Sequence, residues 1–344
     1  MSQNLTEQLD REKRAVSYDV YDMTVRQLVD MVAGGEIDVA PDYQRRFVWD
    51  DTRESELVES IYLGIPVPSL YMAANRDGSW EVVDGVQRLS TLVHFCGGKD
   101  VRSRIIRENP LKLTNLTKLT AFNGMTFEEL PKSAQLGFTL RPVRVTTLND
   151  KSDFAVRYDL FERLNTGGVK LHAQEIRNCV MRGGFRELLR ELSSRPAFRA
   201  VVRIPSNEQQ EAIYEECVLR YFAYLERYQA FEHSVVGFLN DYMIEHALAG
   251  PQAASIAGFD ATFNWLQARL PNGVVRGTRN ATPLNLYEAV TVGTTLALRQ
   301  NPGLNRDPAP IMNADQMRRL TTGATNSRRM VVDRIEYMRN ELLA

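Results

Sequence analysis

The chain has 344 residues, enough for about two domains with their own cores, and its 44% hydrophobic and 25% charged residues exclude collagenous, coiled-coil and wholly disordered classes. A net charge of −1 excludes a global attraction to nucleic acid or anionic membrane, although residues 61–200 carry 21 basic against 14 acidic side chains and are the better host for an anionic ligand. Cys96, Cys179 and Cys217 are odd in number and isolated, which excludes a disulfide framework and a CxxC metal site and suits a reducing cytoplasm, and no apolar stretch suggests a signal peptide or membrane span.

Residues 1–16 are polar and unpatterned, which predicts a flexible arm. Thr24 and Gln27 have capping-box spacing ahead of Leu28, Val29 and Val32, so a helix opens at Thr24 and stops at Gly34-Gly35. A second helix has Asp51 as N-cap, Glu54 at N3, an apolar face of Leu57, Val58 and Ile61, and Gly64 then Pro66 as its stop. Val67 to Met72 and Trp80 to Val83 flank the turn signal Asn75-Arg76-Asp77-Gly78 and predict a hairpin. The helical period of Leu89, Leu92, Val93 and Cys96 then puts Asp84-Gly85 where a strand turns into a helix. A basic run over 99–118 leads to a strand from Thr139 to Thr147.

After residue 150 strand signals nearly vanish. Ser152 caps a helix bearing Phe154, Tyr158 and Phe161, ended by Asn165-Thr166-Gly167-Gly168, and helical patterns follow over 172–181, 184–193, 208–229, 234–248, 252–269, 284–299 and 327–342. The expected class is α+β: an arm over 1–16, a small mixed sheet with helices over 17–150, and a helical domain over 151–344.

Three stretches could carry chemistry. In Glu81-Val82-Val83-Asp84-Gly85-Val86-Gln87-Arg88, a strand enters a helix through a glycine, leaving backbone N–H groups at the positive helix end for an oxyanion. Arg88 adds a forked cation, Gln87 a neutral donor, and Asp84 could orient water or a phosphate-bound metal; the plainer alternative makes Asp84 an N-cap and Arg88 a surface ion-pair partner. In Asp42-Tyr43-Gln44-Arg45-Arg46-Phe47-Val48-Trp49, adjacent arginines among aromatics suit nucleotide stacking and phosphate contact, or else Phe47 and Trp49 are core and Arg45 and Arg46 solvated. Phe161 to Gly168, with Arg163 and Asn165, taken alone is a routine left-handed helix cap. There is no Walker A loop, G-x-G-x-x-G, HExxH or G-x-S-x-G, and Glu215-Glu216 with Arg220 reads as a helical ion pair.

QRRFVW, GIPVPSLYM, WEVVDGVQRLSTLVHF, FERLNTGGVKLHAQEIRN and EECVLRYFAY together resemble the N-terminal domain of GmrSD-type, modification-dependent restriction endonucleases, within the ParB/sulfiredoxin-like superfamily. The resemblance implies a nucleotide pocket built on an Asp-Gly-Gln-Gln-Arg signature, which lands on Asp84, Gly85, Gln87 and Arg88 as catalytic or binding groups, with Gln44, Arg45, Arg46 and Trp49 upstream and Arg163, Asn165 and Gly168 downstream. Val86 replaces the first glutamine and bears on whether hydrolysis survives. The cofactors implied are a nucleoside triphosphate and Mg²⁺; the partners are a nuclease or other defence protein encoded nearby, with DNA and a second copy of the chain as further candidates and membrane excluded. The implied function is a nucleotide-binding, nucleotide-hydrolysing regulator of an anti-phage system that does not itself cut DNA. The competing function is a non-catalytic DNA-binding or scaffold module using the same cleft.

Overall fold

Thr24 ends strand β1 (Tyr18–Thr24) and caps helix α1 (Val25–Gly34): its Oγ1 accepts from the Gln27 N–H at 3.2 Å, while Gln27 Oε1 accepts from the Thr24 N–H at 2.9 Å. The computed structural model describes residues 17–39, 49–75, 77–148, 154–164, 172–181, 183–206, 210–247, 253–277, 280–323 and 325–344. Its internal packing divides the chain into two units, Met1–Leu171 and His172–Ala344. The expected arm lies outside the described residues.

The first unit continues through β2 (Ile37–Asp38), α2 (Asp51–Leu63), β3 (Leu70–Ala74), β4 (Trp80–Asp84), α3 (Val86–Cys96), α4 (Lys99–Arg102), α5 (Lys132–Thr139), β5 (Pro142–Leu148) and α6 (Phe154–Leu164). The strands form one mixed sheet in the order β1-β5-β3-β4-β2, with β1/β5 and β3/β4 antiparallel and β3/β5 and β2/β4 parallel. This is the small mixed sheet with helices that the sequence predicts. Val25, Leu28 and Val32 of α1, Val58 and Ile61 of α2, and Leu89, Val93 and Phe95 of α3 are buried in one core with Met72, Val82 and Val145 of the sheet.

Local expectations change, and the strand read from Thr139 starts only at Pro142 because Thr139 ends α5. Strand β1 carries Asp19 and Asp22 between exposed Tyr18, Val20 and Tyr21, so no alternating pattern reveals it; pairing with β5, including an Arg144–Asp22 ion pair at 3.0 Å, makes the strand. Helix α2 starts one residue earlier than predicted, because the Asp50 carboxylate accepts from the Arg53 N–H at 2.8 Å, so Glu54 is not a capping residue and is buried instead.

The second unit has helices and no strand among its described residues: α7 (Ala173–Val180), α8 (Gly184–Ser193), α9 (Pro196–Val201), α10 (Gln210–Arg227), α11 (Val235–His246), α12 (Ala253–Arg269), α13 (Leu284–Gln300), α14 (Pro308–Asn313), α15 (Asp315–Thr321) and α16 (Arg328–Leu343). Short α4, α5, α9, α14 and α15 go unpredicted because they hold too few turns to show a period. Phe198, Tyr221, Phe222, Phe259 and Phe263 pack edge-to-face and offset in the core. Helices α13 and α16 approach closely at Gly293, where a Cβ would lie 2.7 Å from Met338 Cβ.

Inside this unit the pair read as Glu216 with Arg220 belongs to a ladder of buried charge. Arg177 of α7 meets Glu216 of α10 at 3.0 Å, Glu216 meets Arg220 at 2.7 Å, Arg220 meets Glu288 of α13 at 2.6 Å, and Glu288 meets Arg334 of α16. Asn240 Oδ1 accepts from Arg177 at 2.8 Å, and the Thr325 carbonyl accepts from Arg334 at 2.8 Å, so both ends terminate on neutral acceptors. Burial pushes the Glu216 carboxyl up, but Arg220, Arg177 and His172 outweigh it and hold it down at about 2. Cys96, Cys179 and Cys217 form no disulfide. No helix among the described residues is long and apolar enough to cross a membrane.

Candidate functional site

Strand β4 delivers Asp84 to a turn at Gly85, whose φ of +102° lies in the left-handed region. A Cβ there would also sit 2.5 Å from Leu70 Cδ2, so both backbone and packing require glycine. Gly85, not Asp84, is the N-cap of α3, and no side chain caps that end. The positive end of the α3 dipole therefore lies at this turn, where the sequence predicts it.

Asp84 instead accepts from Arg88 Nη2 at 2.6 Å, with the two side chains 40% and 14% exposed. Arg88 Nη1 also donates to the carbonyls of Pro68 and, at 3.0 Å, Ser69, which precede β3. The guanidinium thus braces Asp84 against the loop entering the neighbouring strand. Both sequence alternatives hold in part: the i, i+4 ion pair exists, but its arginine is largely buried and its carboxylate half open.

Gln87 brings the first motif to this turn: its Oε1 accepts the Trp49 N–H at 3.1 Å. The Trp49 carbonyl accepts from Arg107 at 3.2 Å, its ring lies 4.9 Å from the Arg53 guanidinium and packs on the core. Trp49 is thereby clasped as a structural end-stop. Gln44, Arg45 and Arg46 lie outside the described residues, as do Asn165 and Gly168. Val86 is half-buried and packs against the core, which accounts for an apolar residue at that place in the signature. Arg163 is exposed on α6, a helix that packs on β4 through its body and buries Tyr158 and Phe161.

The basic run over 99–118 is less available than its charge suggests, since Arg102 is buried against the Gly97 carbonyl and Arg107 holds Trp49. Sequence reasoning missed the buried pair behind the turn. Glu54 Oε2 and His94 Nδ1 lie 2.7 Å apart, and His94 Nε2 lies 3.0 Å from the Asn109 carbonyl. Because a carbonyl only accepts, Nε2 carries a hydrogen. Burial pushes the Glu54 carboxyl up, against the pull of His94 and Arg107. The signal available was spacing: Glu54, Val58 and Ile61 stand at i, i+4 and i+7, on the buried face of α2.

His172 and His246 have local partners. His172 caps α7, accepting the Gln174 N–H at 3.2 Å, and His246 Nδ1 donates to the Tyr242 carbonyl at 2.9 Å while stacking on that ring. No cluster of three or more His, Cys, Asp or Glu able to hold a metal occurs among the described residues.

Residues 25–181 match the model of a protein family described as the GmrSD restriction endonuclease, N-terminal domain. No curated protein and no solved structure gave a match. The matched segment runs from the first residue of α1 through the Gly85 turn and α7, so it takes in the turn, its Trp49 and Gln87 tie and the helix bearing Arg163. The resemblance read from the motifs therefore holds over residues 25–181, where the match to the GmrSD N-terminal domain indicates a restriction-system, defence-related module.

Proposed function

We propose that this domain is a nucleotide-binding, nucleotide-hydrolysing regulator that works with a separate nuclease in restriction-type defence against phage. The observation that carries it is the uncapped Gly85 turn, with a half-exposed carboxylate on one side and the end of the arginine-rich motif tied to the other through Gln87 and Trp49. A nucleoside triphosphate fits this helix N-terminus, where the dipole at Gly85 favours phosphate and no side chain caps the end. Asp84 has one oxygen bonded to Arg88 in a side chain that is 40% exposed, which suits accepting a proton from water or holding Mg²⁺. Arg88 acts as a positioning residue for that carboxylate. Arg45 and Arg46 would add charge and Gln44 a neutral donor from the segment before Trp49, and Arg163, Asn165 and Gly168 would close the site. Bound Mg²⁺ would neutralise phosphate charge. DNA cleavage is assigned to the partner, because the sequence around His233 and His246 shows no ββα-metal pattern of Asp, Asn and Lys.

The test is a thermal-shift panel of nucleoside triphosphates with and without Mg²⁺, in which a ligand at 100 times its Kd adds about 2.7 kcal/mol of stability, followed by phosphate release with Asp84→Ala. Stabilisation by a nucleotide, with turnover reduced more than binding in Asp84→Ala, supports the proposal. No nucleotide effect together with a DNA affinity that falls steeply with salt supports the scaffold reading instead.

A further inference from the structure

The second unit carries a half-open cavity of about 480 Å³, lined wholly by its own residues, between the end of α9, the loop after α12 and α14. Its lining holds Arg203 and Arg269, asparagine amides including Asn272 and Asn313, and no aspartate or glutamate among the described residues. Such a concavity focuses positive potential. Neither arginine meets a carboxylate among the described residues: exposed Arg203 is anchored through its backbone, and Arg269 lies over the Trp265 ring at 4.1 Å and donates to Asn305 Oδ1 at 3.0 Å.

The walls are fixed by the protein itself. The Val274 N–H donates to the Val201 carbonyl at 2.8 Å, Arg203 N–H donates to Thr282 Oγ1 at 2.8 Å, and the Thr282 N–H returns to the Arg203 carbonyl at 2.8 Å. Gly273, at φ +74°, lies so close to this segment that a Cβ would be 2.6 Å from the Val201 oxygen. The loop is therefore stitched to the chain that presents Arg203. A stitched wall presents its cations with little ordering left to lose on binding.

We infer that this cavity binds an organic phosphate, a phosphomonoester of nucleotide size, with Arg203 and Arg269 on the phosphate. Two guanidinium forks match a dianion with three acceptor oxygens better than a single carboxylate. The volume falls in the range of cavities that hold whole small organic molecules, and Met312 supplies apolar wall for the remainder of the ligand. This assignment is independent of the nucleotide reading of the Gly85 turn.

Hydrogen exchange on the full chain tests it, with adenosine 5′-monophosphate, adenosine and inorganic phosphate as probes at millimolar concentration. The monophosphate should protect peptides over residues 200–206 and 270–277, and adenosine should not. Arg203→Gln alone should weaken half-saturation about tenfold, the loss of one charge-assisted hydrogen bond, and adding Arg269→Gln should abolish protection, with exchange elsewhere in the unit unchanged. Asp84→Ala should leave this protection intact, which separates it from any binding at the Gly85 turn. Absence of protection in these peptides, or equal protection in the double variant, overturns the assignment. Inorganic phosphate acting as strongly as the monophosphate overturns the organic part, and protection only by an oligonucleotide lacking a terminal phosphate overturns the monoester in favour of nucleic-acid backbone.

Discussion

Glu54 Oε2 and His94 Nδ1 meet at 2.7 Å in the core that supports the Gly85 turn, joining the second helix of the sheet domain to the helix that starts at the turn. The Glu54 carboxyl is pushed up by burial, so the folded state binds its proton more tightly than the unfolded chain. Stability from this group is accordingly present at low pH and lost as pH rises from the ordinary 4.5 through the raised value. Glu54→Gln, whose amide can still donate to Nδ1, should cost less than about 1 kcal/mol and flatten that slope, whereas Glu54→Ala should cost about 2–5 kcal/mol by orphaning His94 and leaving a cavity. Urea unfolding of the two variants from pH 4 to 8, read by hydrogen exchange in first-unit peptides, checks both.

Glycine is needed at 85 for two reasons and at 78 for one. Gly78 has a φ of +85° with open space around its Cβ position, whereas Gly85 adds the clash with Leu70. Gly78→Ala should cost about 1 kcal/mol, the strain of a left-handed residue, and Gly85→Ala about 2–4 kcal/mol once overpacking is added. Equal midpoints in chemical denaturation would show that Leu70 moves aside.

Arg88 reaches a carboxylate and two carbonyls at once, a fork that lysine cannot copy. Arg88→Lys should therefore lower first-unit stability by about 1–3 kcal/mol and loosen Asp84. If Arg88 acts by positioning, phosphate release by the variant should fall through turnover more than through nucleotide affinity.

Val86→Gln restores the family's polar residue at a half-buried site that packs on the core. The expected result is faster phosphate release at a stability cost of about 1 kcal/mol or less, since glutamine's stem can cover the same surface. Identical steady-state rates would show that the position takes no part in turnover.

Acid should weaken the helical unit in a defined window. With its carboxyl held at about 2, Glu216 contributes stability above the ordinary 4.5 that is lost as pH falls from 4.5 toward 2, about 3 kcal/mol in all. Glu216→Gln should remove that slope and cost about 3–5 kcal/mol at neutral pH, because Arg177 and Arg220 lose a buried partner. Unfolding midpoints of second-unit peptides between pH 2 and 7 measure both effects.

The sheet domain was legible where local chemistry decides the structure. Thr24 with Gln27 announces a cap, and Asp84-Gly85 between an apolar run and a helical period announces a turn. Strand β1 was not legible, since its exposed faces carry no alternation and only pairing with Val143 and Val145 makes it a strand. Residue types at the candidate site were readable, but the direction of Arg88 was not: an arginine one turn after a glycine can face a phosphate or its own aspartate, and the Pro68 and Ser69 carbonyls that settle it come from another strand's approach. Likewise Glu216 and Arg220 announce a pair four residues apart, while the extension to Arg177, Glu288 and Arg334 depends on helices far away in sequence.

That ladder orders events during synthesis. Its rungs come from residues 177, 216–220, 288 and 334, so the helices bearing Arg177, Arg220 and Glu288 each leave the ribosome with a charge whose partner has yet to be translated. Until the helix Arg328–Leu343 emerges, Glu288 lacks Arg334, and the close seam at Gly293 lacks Met338 to fill it. A nascent chain halted before that helix should expose the unit to protease, and release of the last turns should protect the whole unit in one step.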